Sequence, residues 1–309
     1  MLKYTIRRLL LLIPTLFFVA LIVFSLAHAA PGSPFDAKSN ENKPLPQATI
    51  ERLNHLYGID KPVWEQFALY LSNAIRFDFG SSFVRDRPVI EIIGQGFPYS
   101  AQLGVQALLV ALMFSLPLGV ISALRQNSIV DYASLLFATV GTTIPSFVIG
   151  IFAIYIFGVT LHLLPFVGWS TPSHWILPTA ILSLGAMAFL TRITRASMLE
   201  AIRQDYVRTA RSKGLGEQVV IVAHVMKNAM IPVVTIVGPA TAGLITGSII
   251  IEGLFSIPGI GRLFLTSIIQ RDYPLIMGTY MLYAVLIAVA NLVVDLTYGI
   301  VDPRIRFDR

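Results

Sequence analysis

The sequence predicts an all-α membrane protein with six transmembrane helices and both termini in the cytoplasm. Of its 309 residues, 55% are hydrophobic and 13% are charged, and the mean hydropathy is +0.72. An average soluble domain has roughly 45–50% apolar and about 25% charged residues, so this composition excludes a disordered chain and argues against a soluble enzyme. Two further observations support the prediction: six long apolar runs, and the uneven placement of basic residues between them.

The apolar runs set the number of predicted helices, because a helix needs ~20 apolar residues to cross a bilayer. The fourth run is shorter than this, with Pro178 near its start and Arg192 shortly after its end. A re-entrant segment is therefore the alternative for that run. The six runs cover residues 9–30, 101–124, 135–159, 176–190, 229–251 and 275–301.

The basic residues set the predicted orientation. Lys3, Arg7 and Arg8 precede the first run without an acidic neighbour. The segment 192–227 holds seven basic residues against three acidic ones and is the most basic connection in the chain. Because lysine and arginine stay in cytoplasmic loops, both termini and this segment are predicted to be cytoplasmic, which requires six crossings.

The same pattern divides the chain into three regions. These are residues 1–93 (the first transmembrane helix and an extracytoplasmic helical insertion), 94–301 (a five-helix core with the cytoplasmic loop 192–228) and 302–309 (a cytoplasmic tail). The basic start followed by Ala27-His28-Ala29 also resembles a signal peptide with its cleavage site. The apolar stretch is longer than the usual ~7–15 residues of such a peptide, so we favour an uncleaved first helix.

Motifs for nucleotide binding, metal binding and hydrolysis are missing. The sequence has no G-x-x-x-x-G-K-[ST] phosphate loop, no H-E-x-x-H and no G-x-S-x-G, and its five histidines lack metal-ligand spacing. The lack of cysteine excludes disulfides, thiolate catalysis and iron–sulfur clusters. Asp295 is the one acid predicted well inside a span, and a structural role is preferred there to a proton relay. We therefore predict no catalytic residue, metal or cofactor, and no energy source within this chain.

The loop 192–228 is predicted to form a helix, a tight turn and a second helix. Lys213 followed by Gly214 is a helix-stop signal, because a cation suits the last turn and glycine adopts the left-handed cap. A second apolar stretch follows at residues 219–226. A lone helical hairpin is marginal in water, so it either lies on anionic lipid or docks into a groove of a partner. The predicted apolar stripe of the first helix is Leu199, Ile202, Tyr206 and Ala210.

Two apolar runs contain polar or small residues near their middle. In the third run these residues surround Pro145, and in the fifth they form a G-x-x-x-G pattern that permits close helix contact in lipid. We expect most of them to serve packing within the subunit, and the alternative is a face that lines a passage shared with a second subunit. The candidates for such a lining are Thr142, Thr143, Ser146, Gly243 and Gly247.

The glycine-rich turn at residues 258–261 is predicted to be structural. It lies between Glu252 and Arg262 and is expected to set the entry of a short outer helix. We expect these two charges to form an exposed pair, which would contribute only ~0–1 kcal/mol.

Several segments resemble the permease subunits of bacterial ABC importers. Residues 208–215 (RTARSKGL), followed by 228–234 (NAMIPVV), resemble the EAA loop of that family, a coupling helix that enters a cleft of a separate ATPase subunit. Arg208-Thr209-Ala210 stand where the general pattern has Glu-Ala-Ala, as in the peptide-permease subfamily. The resemblance covers essentially the whole chain and extends to residues 7–15, 78–82, 252–263, 271–274 and 301–306.

The resemblance implies a type I ABC importer permease fold in the bacterial plasma (inner) membrane, with ATP hydrolysed by partner subunits. The implied partners are a second homologous permease, two ATPase subunits, an extracytoplasmic substrate-binding protein, membrane lipid and a peptide cargo, without nucleic acid. The contact with the ATPase is expected at Arg208, Thr209, Ala210, Lys213, Gly214 and Leu215. Importers of nickel, glutathione or antimicrobial peptides are alternatives within the class. An ion-coupled secondary transporter and a membrane enzyme are the alternatives outside it.

Overall fold

The computed structural model describes residues 2–29, 47–245 and 247–301. The regular structure in these ranges is helical, and the only strand-like pairing there is an isolated bridge between Ser81 and Pro88. The tail 302–309 and the side chain of Asp295 lie outside the described part. The first four helices are α1 (Leu2–Ala29), α2 (Gln47–Tyr57), α3 (Val63–Ala74) and α4 (Val89–Leu124).

The second half of the chain begins with a bent helix pair and ends with a long helix. Two stretches have the wider π-helical turn: Ile154–Thr160, which continues α6, and Val220–Met226, which joins α9 to α10. The helices are α5 (Ile129–Thr143), α6 (Ser146–Ala153), α7 (Pro172–Ile202), α8 (Asp205–Ser212), α9 (Glu217–Val219), α10 (Lys227–Ile245), α11 (Ile249–Leu254), α12 (Ile260–Ile269) and α13 (Tyr273–Val301).

The third predicted span is broken. Five helical segments in the described ranges are long and apolar enough to cross a membrane by themselves, and a sixth crossing exists only if α5 and α6 act together. These two helices meet at a bend of 100°. Pro145 causes the break, because proline lacks an N–H and forces the preceding residue into extended backbone, as seen for Ile144 (φ −83°, ψ 124°). The cytoplasmic placement of the termini stays a prediction.

The fourth run is longer than the sequence suggests, so the re-entrant alternative is wrong in its premise. Helix α7 has 31 residues and continues past Arg192 and Arg195. The charge of Arg195 does not end the helix because it is neutralised inside the protein by Asp131, as described below.

Helix α4 packs against α7 and α10 at the centre of the fold, and glycines set both close approaches. A Cβ at Gly119 would lie 2.5 Å from Cβ of Thr194 on α7, and one at Gly104 would lie 2.3 Å from the carbonyl oxygen of Leu244 on α10. Small residues at such crossings allow close van der Waals contact where lipid removes the usual hydrophobic drive.

The insertion after α1 is helical, as predicted, and contains the two helices α2 and α3. Gly58, with a φ of +66°, ends the first, and Pro62 precedes the second. Helix α3 packs on α1, where Phe24 lies 5.2 Å from Phe67 between ring centroids and His28 bonds to Gln66 at 3.0 Å. Helix α1 also packs along α13, so the insertion is fastened to both ends of the chain.

Candidate functional site

The loop predicted to contact a partner forms a compact helical hairpin, here called the basic hairpin (residues 205–226). Helix α8 ends at Ser212, Lys213 is its C-cap, and Gly214 takes the left-handed conformation with a φ of +78°. Its N–H donates to the carbonyl of Arg211 at 2.9 Å. The predicted sequence of helix, glycine stop and second helix is therefore confirmed.

One face of the basic hairpin packs against the protein itself. Val207 and Ala210 of α8 are buried, as are Val220 and Val225 of the π-helical stretch. They form one apolar cluster with residues at the inner ends of α4, α7 and α10, namely Ala123, Met198, Ala201 and Ala229. The hairpin is therefore not an isolated pair of helices, because its buried side chains share one apolar core with the long helices.

The predicted stripe on the first helix is confirmed for Leu199, Ile202 and Ala210, which pack on this cluster, and is wrong for Tyr206. Helix α7 ends at Ile202 and α8 begins at Asp205, so the two do not share one continuous face. Tyr206, placed on the stripe, is 40% exposed, whereas its neighbour Val207 is fully buried. The break at Arg203 and Gln204 interrupts the helical spacing, so that Val207 takes the buried position that the spacing assigns to Tyr206.

Five of the six predicted contact residues lie on the outer face of the hairpin. Ala210 is the exception, because it is 5% exposed and packs inward, so it acts on this surface only by seating it. The Thr209 hydroxyl donates to the carbonyl of Asp205 at 3.0 Å. The exposed members are Arg208, Thr209, Lys213, Gly214 and Leu215.

A bidentate ion pair bridges the turn of the hairpin. The guanidinium of Arg211 donates to Glu217 through Nη2 at 2.6 Å and through Nε at 3.1 Å. Both side chains are largely exposed. The pair joins the end of α8 to the start of α9 and neutralises Arg211. Arg208 and Lys213 supply the other positive charges of the outer face, and Nη1 of Arg208 lies 3.6 Å from a carboxylate oxygen of the exposed Asp205.

Sequence reasoning missed three exposed apolar side chains on the same hairpin. They are Tyr206, Val219 and Val222, which are 40%, 50% and 64% exposed. The available signal was their position out of phase with Val207 and Ala210. An exposed apolar patch beside basic groups is typical of a surface that binds another protein.

A buried ion pair anchors the helices directly above the hairpin. Asp131 of α5 is 1% exposed and accepts from Nε of Arg195 at 2.6 Å and from its Nη2 at 2.8 Å. The hydroxyl of Ser122 and the backbone N–H of Asn127 complete its shell at 2.5 Å and 2.9 Å. Every lone-pair direction of this carboxylate is used, so the pair fixes α4, α5 and α7 to one another.

The candidate lining residues in α5 and α6 surround the bend. The Thr142 hydroxyl donates to the carbonyl of Ala138 at 2.8 Å, and Nη2 of Arg192 donates to that hydroxyl at 3.3 Å. Thr143 is exposed, and Ser146 is the first residue of α6 and is half-buried. The structure thus places a cation and three hydroxyl side chains around a break in a predicted span.

The two candidate glycines occupy different environments, and the predicted G-x-x-x-G pair is wrong as a helix face. Gly243 lies on α10, is exposed, and has open space where a Cβ would be. Gly247 lies beyond the end of α10, with a φ of +91°, and its Cβ position is 2.5 Å from a carboxylate oxygen of Glu252. Gly247 therefore belongs to a packed cluster and not to an open surface.

That cluster centres on Glu252, which the sequence analysis placed in an exposed pair with Arg262. The carboxylate is fully buried and accepts from the hydroxyl of Ser100 at 2.8 Å. It also accepts from the backbone N–H groups of Gly261 at 2.8 Å and of Arg262 at 3.2 Å. The prediction is wrong because the contact uses the backbone of Arg262, whereas its guanidinium donates to the carbonyl of Ser256.

A second buried acid joins two segments that the resemblance singled out separately. Asp272 accepts a hydrogen bond from the hydroxyl of Ser82 and another from the backbone N–H of Phe83 at 3.0 Å. Asp272 is fully buried. The outer loop before α4 is thereby tied to the start of α13.

The comparison with protein families matches both parts of the chain. The model described as "Binding-protein-dependent transport system inner membrane component" fits residues 115–307, and the model for the N-terminal part of such membrane components fits residues 1–104.

Curated relatives match along the full length. The dipeptide transport system permease protein DppB of Bacillus subtilis (strain 168) is 41% identical and covers 100% of this chain and 99% of the relative. The oligopeptide transport system permease protein OppB of Salmonella typhimurium (strain LT2) is 40% identical, with 99% and 100% covered. The glutathione transport system permease protein GsiC of Escherichia coli (strain K12) is 40% identical, also with 99% and 100% covered.

A solved structure shares the arrangement of the helices. The inward-facing MetNI methionine ABC transporter has a chain that superposes with a TM-score of 0.53 at 16% identity, covering 69% of this chain and 97% of that chain. At this identity the likeness shows the fold alone, which is that of an ABC importer permease.

Proposed function

The chain belongs to the family of binding-protein-dependent transport system inner membrane components, and we propose that it is a permease subunit of an ATP-driven importer of dipeptides or oligopeptides. It is a multi-pass protein of the bacterial inner membrane. The observation that carries the proposal is the basic hairpin, a rigid surface seated on the long helices, within a chain that peptide permeases match from end to end.

The hairpin is built to bind another protein and to transmit force. Its inner face is locked by Val207 and Ala210, while Arg208, Lys213 and Leu215 stay outside. A partner that changes shape can shift the permease only through contacts that differ between its two states. A hairpin whose buried residues share one apolar cluster with the long helices moves together with those helices, as such coupling requires.

The proposed complex contains a second homologous permease, two ATPase subunits and an extracytoplasmic substrate-binding protein. This chain supplies half of the passage, and the exposed face at the bend of α5 and α6 is the proposed lining. Thr142 and Thr143 fit that role because they are exposed within apolar segments, and Gly243, exposed on α10, is a separate candidate for the lining. Ser146 stands at the edge of this face, and Gly247 is removed from it.

A peptide cargo is proposed because the dipeptide and oligopeptide permeases match over the whole chain. Glutathione is the second candidate, since permeases named for its transport are 40% identical over the same length. Glutathione is itself a tripeptide with free carboxylates, so the two proposals share their chemistry.

An ion-coupled transporter is disfavoured by the state of the buried acids. Among the described side chains, Asp131, Glu252 and Asp272 are the carboxylates in buried positions. Each accepts at least two hydrogen bonds from the protein, and Asp131 is also paired with an arginine. Carboxylates that are already saturated in this way serve structure and offer no open site for a coupling ion.

Charge reversal on the hairpin tests the proposal. In a complex purified through a tag on this chain, the double variant Arg208→Glu and Lys213→Glu should retain severalfold less ATPase subunit and lose most ATP-dependent peptide uptake, because a groove that receives a basic surface repels an acidic one. Arg125→Glu is the matched control, since Arg125 is exposed next to α5 but lies off the hairpin. Absence of any ATPase subunit from the wild-type complex, or its full retention by the double variant, would contradict the proposal.

A further inference from the structure

We propose that a cavity at the outer end of α4 binds the C-terminal carboxylate of a peptide, an inference that rests on the proposed function. The cavity has a volume of about 600 Å³ and opens to solvent. Three parts of the chain form it: the loop before α4, the first turns of α4, and the start of α12. By the predicted orientation this is the side on which cargo arrives.

Cationic side chains dominate the wall of the cavity. Arg85, Arg87 and Arg262 line it, and no acidic residue of the described part of the chain does. Arg87 is partly neutralised by Glu91, whose Oε2 lies 3.6 Å from its Nη2. In the described residues Arg85 has no ion-pair partner, so its charge is available to a ligand.

Arg262 is held in place for binding. Its Nη1 donates to the carbonyl of Ser256 at 3.0 Å, and this bond fixes the plane of the guanidinium. The other N–H groups of the guanidinium are left to bind a ligand. Ser256 has a left-handed φ of +53°. Its carbonyl group is therefore oriented differently from one in an ordinary right-handed helix. A fixed guanidinium suits a carboxylate, because the planar fork matches its two oxygens and little side-chain entropy is lost on binding.

The attraction comes from these side chains and not from the start of α12. The backbone N–H groups of Gly261 and Arg262, which would otherwise face an anion, already donate to Glu252. The carboxylate of Glu252 is buried behind Gly259 and is saturated by its own donors. An incoming anion therefore meets guanidinium groups first.

The rest of the wall favours a small peptide over a single ion. Small-ligand pockets span ~300–1,000 Å³ and combine apolar walls with a few polar groups. Ile92, Pro258 and Leu263 supply apolar surface for peptide side chains, and Gln95 and Tyr99 supply polar groups. A carboxylate, free on every cargo peptide, meets the arginines while the side chains meet the apolar wall.

Binding of trialanine and of its C-terminal amide tests this site. The complex, purified with its native partner subunits and held in nanodiscs without ATP or binding protein, is titrated with each peptide by calorimetry. We expect Arg85→Gln together with Arg262→Gln to weaken trialanine binding at least ~10-fold, since the double variant removes the charge-assisted hydrogen bonds to the carboxylate. The amide should bind the wild type as weakly as trialanine binds the double variant. Arg85→Gln alone should weaken binding about threefold, and it leaves the Ser256 contact intact.

Arg76→Gln is the matched control, because Arg76 is an exposed arginine of the same outer insertion and does not line the cavity. Equal binding of acid and amide by the wild type, no binding of trialanine, or an equal effect of Arg76→Gln would overturn the inference. Unchanged peptide binding together with weaker docking of the binding protein in the arginine variants would also overturn it, since the carboxylate would then belong to that protein. ATP-dependent uptake by the wild-type complex tests the proposed function separately, so either idea can fail while the other stands.

Discussion

Two glycine turns, one on each side of the core, need glycine for opposite reasons. In the basic hairpin, Gly214 has a φ of +78°, and no atom lies within 4 Å of where its Cβ would be. In the turn at residues 256–261, here called the outer turn, Gly259 has an ordinary φ of −90°, but its Cβ would lie 2.2 Å from Glu252. The first position requires a backbone conformation and the second requires space.

The two regions also treat charge differently. The basic hairpin keeps Arg208, Arg211 and Lys213 exposed to water, with Arg211 paired to Glu217 and Arg208 close to Asp205 in exposed ion pairs. The outer turn surrounds the buried Glu252 with hydrogen-bond donors from its own backbone. A surface that must bind another protein exposes its charges, whereas a junction that must keep its shape buries and satisfies them. Variants of the outer turn should therefore affect folding, and variants of the hairpin should affect transport.

The largest effect is expected for Gly259→Ala. The new methyl group would overlap Glu252 and come within 2.4 Å of the Ser100 hydroxyl, so either the turn or the carboxylate must move. We expect the free energy of unfolding to fall by ~3 kcal/mol or more, because overpacking is combined with broken buried hydrogen bonds. It is measured as a lower thermal unfolding midpoint in detergent.

Gly253→Ala is the control, since its Cβ would meet only Leu265 at an ordinary 3.5 Å. Equal midpoints for the two variants would show that space is not what the outer turn requires.

The next effect is expected for Glu252→Ala. It leaves the Ser100 hydroxyl and two backbone N–H groups buried without an acceptor, and each such group costs ~1–3 kcal/mol before relaxation. We expect a total loss of ~2–3 kcal/mol, with Glu252→Gln intermediate because its amide oxygen still accepts. The same melting experiment measures it, and an alanine variant as stable as the wild type would disprove the structural role of this acid.

A smaller change in stability but a large one in transport is expected for Gly214→Val. A non-glycine residue in the left-handed region costs ~1–2 kcal/mol, and the strain falls on the turn that orients the outer face. Assembly should survive, while ATP hydrolysis continues without peptide uptake in proteoliposomes. Gly214→Asn is the matched variant, because asparagine tolerates this conformation and should restore most uptake. Normal peptide uptake by the valine variant would contradict the role of the basic hairpin in transport.

The smallest effect is expected for Glu217→Gln. The variant removes the ion pair with Arg211 across the hairpin turn, but both side chains are exposed and such pairs contribute little. The melting temperature and the uptake rate should both match those of the wild type within error. A clear loss of uptake at unchanged stability would show that the partner reads Arg211 in its paired geometry.

Local signals in the sequence predicted the hairpin well and the buried acids poorly. The Lys213-Gly214 stop depends on adjacent residues, so it is visible in any short window. Asp131 and Arg195 are 64 positions apart, and Ser100 and Glu252 are 152 apart. The spacing of apolar residues along the chain gives no information about contacts between residues so far apart. Taken alone, each polar residue of such a pair is expected to be exposed.

The transmembrane spans were predicted from runs of apolar residues, and such runs do not show where a helix bends or where it continues past a charged residue. The third run is apolar on both sides of Pro145, so its composition hides a 100° bend that the proline itself signals. The fourth run appears short in the sequence because Arg192 follows it closely, although α7 continues past Arg192 and past Arg195, whose charge is neutralised by Asp131. In the hairpin, the phase error at Tyr206 arose because a two-residue break in the helix leaves no mark on apolar spacing.

The short connection between α7 and α8 has a mechanical consequence. Only Arg203 and Gln204 separate the two helices, and two residues reach at most ~7 Å even when extended. We therefore expect a displacement of the hairpin to be transmitted directly to α7, a single helix of 31 residues. Because Asp131 in the first turn of α5 is paired with Arg195 of α7, we expect a displacement of α7 to carry α5 with it and so to change the angle at which α5 meets α6 beyond Pro145.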